Sequence, residues 1–436
     1  MIKVLKFGGT SVGSAENMRK VGSVIQQEGS TITVLSAMSG TTDALVKISA
    51  LAKNKAGKEE IAEVIDGLVK KYSTCIAGLL DAGKEAALER MSEAFALIGK
   101  EAQNYVCCES DKVILAQGEL LTSYIFAQYL NEQGVKAVLL NAPDFMVTQE
   151  DGKVDKGLLQ SKLPALVKAP GTFYITQGFI CTNYKGKPDN LGRGGSDYSA
   201  ALMGEAIGAD EVQIWTDIDG MHNNDPRYVD KTYPIRHMTF DDAAELAYFG
   251  AKILHPSTIQ PCKDKGIPVR LKNTLDPNAP GTLITNEGDA AQFCAVAAKD
   301  NITVIRIHSA RMLMAYGFLR KVFEIFEAHK TSIDMITTSE VSVSLTLDND
   351  ENVEAVAEDL QSLGTIEIEK GNTIICVVGD LAHEKAGLIS QISATLNTIP
   401  VKMISYGASH RSLVLLIETE NKIQALRNIN RELFKL

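Results

Sequence analysis

The run Leu191-Gly192-Arg193-Gly194-Gly195-Ser196-Asp197-Tyr198-Ser199-Ala200 brings three glycines, an arginine and an acid to the threshold of a helical pattern. Glycines let backbone N–H groups approach an anion, the positive end of a helix dipole adds to the pull, and Arg193 offers a forked donor for carboxylate or phosphate. Asp197, in the first helical turn, suits the dipole and is placed to meet a cation. Taken alone, the run also fits a capped glycine-rich turn. A second run, Lys6-Phe7-Gly8-Gly9-Thr10-Ser11-Val12, follows a predicted strand and precedes a helix starting near Ser14. Its glycine turn suits phosphate and Lys6 suits the terminal phosphates, but the lysine precedes the glycines, which is not P-loop spacing.

Other runs fall at predicted strand ends, where open α/β sheets bind ligands. Ser36-Ala37-Met38-Ser39-Gly40-Thr41-Thr42 supplies hydroxyls and a glycine, and Gln117-Gly118-Glu119 opens a helix predicted over 120–130. Trp215-Thr216-Asp217 leads into a polar loop through His222 to Asp225-Pro226-Arg227, where Arg227 is a candidate phosphate clamp. That loop lacks the glycine and terminal glutamate spacing of an EF-hand. Phe249-Gly250-Ala251-Lys252-Ile253 offers a second lysine. His222, His237 and His255 show no ligand spacing, and the seven cysteines show none either, so no metal site built by the protein is expected and the thiols read as reduced.

The elements that must position these residues divide in two. At 436 residues the chain exceeds one core. Through about residue 275, β-rich runs at 4–7, 31–36, 136–140, 172–177, 211–216 and 268–271 alternate with helical ones, the pattern of an αβα sandwich with a largely parallel sheet. Helices over 59–80 and 84–106 read as an inserted αα-hairpin. Beyond the turn-rich segment 276–281 the texture becomes two α+β units of βαββαβ type in tandem. We expect a large domain over 1–290, one small domain over 309–372, and another made of 295–308 with 373–436, the strand 302–308 completing the second small unit. A net charge of −10 disfavours nucleic acid, no apolar stretch is long enough for a membrane span, and a cytoplasmic protein is expected.

In this order along the chain, the runs at 6–12, 192–198, 216–227 and 249–252 resemble the amino-acid kinase family and, within it, the aspartokinases. The resemblance implies an α/β amino-acid kinase fold followed by two ACT domains, and ATP-dependent phosphorylation of the β-carboxylate of L-aspartate with Mg²⁺ travelling on the nucleotide. It implies that Lys6, Gly8, Gly9, Asp197 and Lys252 serve catalysis, and that Ser36, Thr42, Glu119, Arg193, Gly194, Gly195, Ser196 and Asp197 hold aspartate. Lys6, Gly9, Thr216, Asp217, His222, Arg227, Lys252 and Ile253 are implied for ATP, with His222 standing where a tyrosine is usual. The tail resembles the lysine-sensitive type, with Met312, Ala315, Phe318, Leu319, Ser332, Ile333, Asp334, Ser339 and Glu340 as effector residues. Ala315 stands where a serine is usual, which leaves threonine open beside L-lysine. Homo-oligomers, dimer or tetramer, are implied through the ACT domains. A carboxylate acceptor is already the nucleophile at neutral pH, so the catalytic burden is electrostatic. A glutamate 5-kinase and a non-catalytic amino-acid sensor on the same fold are the alternatives.

Overall fold

Alternating β-rich and helical runs produce a parallel sheet with helices on both faces, as the sequence pattern requires. The computed structural model describes residues 2–29, 32–250, 254, 256–288, 292–312, 316–381 and 386–436. Two compact units form, Met1–Met221 with Leu254–Glu287, and His222–Ile253 with Gly288–Leu436. The segment following residue 221 thus joins the second unit, whereas the sequence pattern kept all of 1–290 together.

Across the first unit's sheet the strands run Ala137–Leu139, Phe173–Gln177, Ile32–Leu35, Lys3–Phe7, Glu211–Thr216, Val269–Asn273 and Thr282–Thr285. Every neighbouring pair is parallel except the last. The four residues of Ile32–Leu35 and the last four of Lys3–Phe7 are all buried, as a sheet covered on both faces demands. On one face the helices Ala15–Glu28, Lys58–Leu79, Lys84–Gln103 and Cys107–Glu132 bury an apolar core against Leu5, Phe7, Leu35 and Trp215. Phe7 and Trp215 stack at 5.6 Å in that layer, each ring contributing about 2 to 3 kcal/mol by burial. The helix Gly195–Ile207 lies against Lys3–Phe7 and its two neighbouring strands.

The helix after the insert differs from the sequence expectation. Glu119 does not open a helix; it sits midway along Cys107–Glu132. Gly118, read as a helix start, is an interior glycine kept for space, since a Cβ there would lie 2.7 Å from the Ala37 Cβ. Close approach of the 36–42 loop explains it better than a helix boundary does.

The second unit's sheet is antiparallel, in the order Met335–Thr338, Ser342–Leu347, Ala295–His308, Thr365–Val378, Ser412–Glu418 and Met403–Tyr406. Its two central strands each run 14 residues and serve both α+β halves. Residues 302–308 pair with Ser342–Leu347 and with 365–372, and so belong to the first half. It is 295–299 that pair with 374–378 and complete the second half, a register shift at 299–302 separating the two stretches. The expected insertion therefore begins at that irregularity, where Asn301 takes φ +61°, and not at residue 309. Among the described residues, no helix is long and apolar enough to cross a membrane.

Candidate active site

At the carboxyl ends of the first unit's strands, Lys6, Ser36, Thr42, Glu119, Phe179, Gly192, Arg193, Gly194, Gly195, Ser196 and Asp197 line a cavity of about 350 Å³. Two helix starts meet there. Gly194 caps Gly195–Ile207 at φ +71°, and Gly40 caps Thr41–Lys53 at the same angle, which brings Thr42 to the wall. Each first turn has N–H groups without intrahelical partners, and together they make the cavity attractive to an anion. Arg193 adds an exposed guanidinium that makes no ion pair among the described residues.

Lys6, on the strand Lys3–Phe7, is buried and pairs with Asp197 at 2.7 Å. With Lys6 buried and most of the Asp197 side chain shielded, this is an organised charge pair, unlike a surface pair that water screens. Gly8 donates its N–H to the Trp215 carbonyl at 3.2 Å, tying the glycine turn to the neighbouring strand end, where Thr216 and the exposed Asp217 follow. Gly9 has no room for a side chain: a Cβ would lie 2.8 Å from the Ala37 carbonyl oxygen. The turn is thus a bare-backbone cradle of the kind phosphate groups occupy.

Glu119 is the most perturbed group of the cavity. The Ala37 N–H donates to its Oε1 at 3.3 Å, while Oε2 is buried with no partner among the described residues. Burial dominates and pushes its carboxyl up to about 7, with backbone hydrogen bonds opposing. Beneath it, Tyr72, Thr41 and Thr122 share a buried hydroxyl cluster, and Thr122 accepts from the Met38 N–H at 3.2 Å. The whole 36–42 wall therefore hangs on the helix that carries Glu119.

Every residue expected to hold aspartate lines this one cavity. Phe179 was missed, although it follows Gly178 and adopts φ +67°, and its N–H donates to Ser199 Oγ at 3.0 Å. The nucleotide set is divided. Thr216 and Asp217 lie in the first unit, whereas His222 and Arg227 belong to the second. His222 Nδ1 is 2.7 Å from Thr232 Oγ1, and Arg227 is exposed and clamped to Asp225 at 2.6 Å. Lys252 and Ile253 lie outside the described residues, as does Ala315. In the second unit Phe318 lies in an apolar cluster against which Met312, Leu319 and Ile333 pack. Ser332 and Glu340 are exposed, and Ser339 Oγ meets Ser342 Oγ at 2.8 Å. Asp334 is already engaged, accepting from Tyr248 at 2.5 Å and lying 3.4 Å from Lys299 Nζ.

Residues 1–273 match the amino acid kinase family, and residues 375–433 match the ACT domain. Aspartokinase 1 of Arabidopsis thaliana chloroplasts is 35% identical, covering 97% of this chain and 79% of its own. Lysine-sensitive aspartokinase 3 of Escherichia coli is 34% identical over 100% of this chain and 99% of its own. The crystal structure of E. coli aspartokinase III with aspartate and ADP, an R-state, superposes with a TM-score of 0.86 at 33% identity over the full length of both chains. Its T-state, with lysine and aspartate, gives 0.83 at 33% identity over 99% of each.

Proposed function

The chain belongs to the amino acid kinase family, within it to the aspartokinases, and from that premise we propose that it transfers the γ-phosphoryl group of ATP to the β-carboxylate of L-aspartate. One observation carries the assignment of roles: a single cavity joins a buried lysine–aspartate pair, a buried carboxylate with an unpartnered oxygen, and two converging helix starts. In the step, a β-carboxylate oxygen bonds to the γ-phosphorus as the bond to the β,γ-bridging oxygen breaks, giving 4-phospho-L-aspartate and ADP. No proton leaves the nucleophile, so no general base is needed.

The residues then divide the electrostatic work. Arg193 and the helix starts at 194–197 and 41–42 receive the α-carboxylate. Glu119 Oε2 receives the ammonium, and the arriving cation stabilises the carboxylate form that burial disfavours. Asp197 keeps Lys6 in place, and Lys6 with the Gly8–Gly9 turn stabilises negative charge developing on the transferring group. Mg²⁺ bound to the nucleotide phosphates supplies further charge neutralisation; among the described residues no group of three or more His, Cys, Asp or Glu is placed to hold a metal ion. Lysine is the proposed feedback effector, on the likeness to lysine-sensitive aspartokinase 3, with homo-oligomers formed through the ACT-like halves and a cytoplasmic location.

The deciding experiment is ADP release from MgATP with aspartate, with glutamate, and with lysine, threonine or methionine added. Turnover with aspartate, suppressed by lysine, is expected. Turnover with glutamate alone sinks the substrate reading, and absence of transfer to any amino acid makes the chain a sensor.

A further inference from the structure

Tyr248 ends the helix Phe240–Tyr248 in the second unit, and its hydroxyl donates to Asp334 Oδ1 at 2.5 Å. Lys299 Nζ completes the cluster, 3.4 Å from that oxygen, 2.8 Å from Asp348 Oδ2 and 4.4 Å from the Tyr248 ring centroid. The Asp334 side chain is closed to solvent, and its Oδ2 has no hydrogen-bond partner among the described residues. Two carboxylates and one ammonium leave the group one positive charge short. A second ammonium fits that deficit, and Oδ2 is the open acceptor.

Tyr248 also leads into the run Phe249-Gly250-Ala251-Lys252. Phe249 is buried and packs edge-on against the Tyr248 ring, centroids 4.9 Å apart. Gly250 adopts φ +130°, and a Cβ there would lie 2.2 Å from the Ala298 carbonyl oxygen, next to Lys299 in sequence. The Phe249–Gly250 turn is therefore held on both sides, by the Asp334–Tyr248 bond and by the strand Ala295–His308.

We propose that Tyr248 is a positioning residue, coupling ammonium capture at Asp334 to the Phe249–Gly250 turn. This rests on the reading of the second unit as an amino-acid effector unit. Without effector, the phenol anchors the helix end to Asp334. An effector ammonium at Oδ2 draws the carboxylate's charge away from Oδ1 and competes with the phenol, so effector binding favours the state in which the helix end is released. An effector shifts such an equilibrium only through its differential affinity for the two states, and Asp334 supplies that difference by serving one cation or the other donor.

The test compares wild type with Tyr248→Phe, full length, in ADP release with MgATP and aspartate while lysine is titrated. The variant weakens the anchored state alone. Half-inhibition should therefore need about fivefold less lysine, with the uninhibited rate and both KM values unchanged within about twofold. A half-inhibiting concentration that is unchanged or higher overturns the coupling. Hydrogen exchange on the wild type is the second measurement: lysine should speed exchange of the 245–250 amides, and unchanged protection overturns the proposal even if the variant fails to fold. Asp334→Asn should abolish lysine binding by calorimetry. Wild type that neither binds nor responds to lysine removes the effector reading and this coupling together, whereas an inhibited wild type with an unshifted Tyr248→Phe removes the coupling alone.

Discussion

Glu119 in the first unit and Asp334 in the second are built alike and completed differently. Each is a shielded carboxylate with one oxygen partnered and, among the described residues, the other not. Burial pushes Glu119 up to about 7, with only backbone hydrogen bonds among the described residues opposing it. Burial raises Asp334 too, but the Tyr248 phenol and the Lys299 ammonium oppose it. The difference teaches how one chemistry serves two ends. The substrate pocket leaves the cation's place empty, so that a bound ammonium gains the full electrostatic benefit. The second cluster carries its own cation, so a ligand ammonium arriving there meets a charge already partly neutralised and gains less.

The comparison breaks most visibly at the lysines. Lys6→Ala should lower kcat by about 10²-fold or more, because a preorganised stabiliser of the transferring group is lost. A kcat near wild type would remove Lys6 from the phosphoryl path. At Glu119, substitution by Gln should raise the aspartate KM by about 10- to 50-fold with a smaller change in kcat. An unchanged KM would place the substrate ammonium elsewhere. For the wild type, kcat/KM for aspartate should fall by up to about tenfold per pH unit below about 7, as Glu119 takes up a proton, and Glu119→Gln should flatten that limb.

The same group links pH to stability. Between its ordinary value of 4.5 and about 7 the folded chain holds a proton that the unfolded chain releases, so Glu119 costs stability progressively as pH rises through that window. Glu119→Gln should accordingly raise the melting temperature by roughly 2 to 4 °C at pH 8 and leave it unchanged at pH 4. A variant no more stable at pH 8 would show that the carboxylate is compensated. Lys299→Met sharpens the other half of the comparison: with the competing cation gone, about fivefold less lysine should half-inhibit turnover, the uninhibited rate staying within about twofold. A rise in the half-inhibiting concentration would make Lys299 a partner of the effector and not its rival.

Much of the cavity was legible because its residues cluster in short runs. Arg193, Gly194, Gly195, Ser196 and Asp197 fall within one turn and a helix start, and local glycine chemistry is enough to expect an anion there. Phe179 was not, because its place in the wall rests on packing against Gly195, whose Cβ would lie 2.9 Å from the Phe179 ring, a contact no local pattern shows. Glu119 is reached by resemblance, but local pattern shortens its helix, since an interior glycine reads as a boundary when the facing loop is unseen. Strand pairing at 295–308 was misassigned for a related reason. One 14-residue strand serves two halves, and only its partners show where the division falls.

By itself, then, the sequence determined the alternation of strands and helices, the glycine turns and the charges they present, because these follow from backbone sterics and from periodicities a few residues long. Only the tertiary structure decided which charges are paired. Lys6 meets Asp197 across 191 positions and Tyr248 meets Asp334 across 86, and whether a carboxylate keeps an oxygen free depends on burial and on partners that no local pattern encodes.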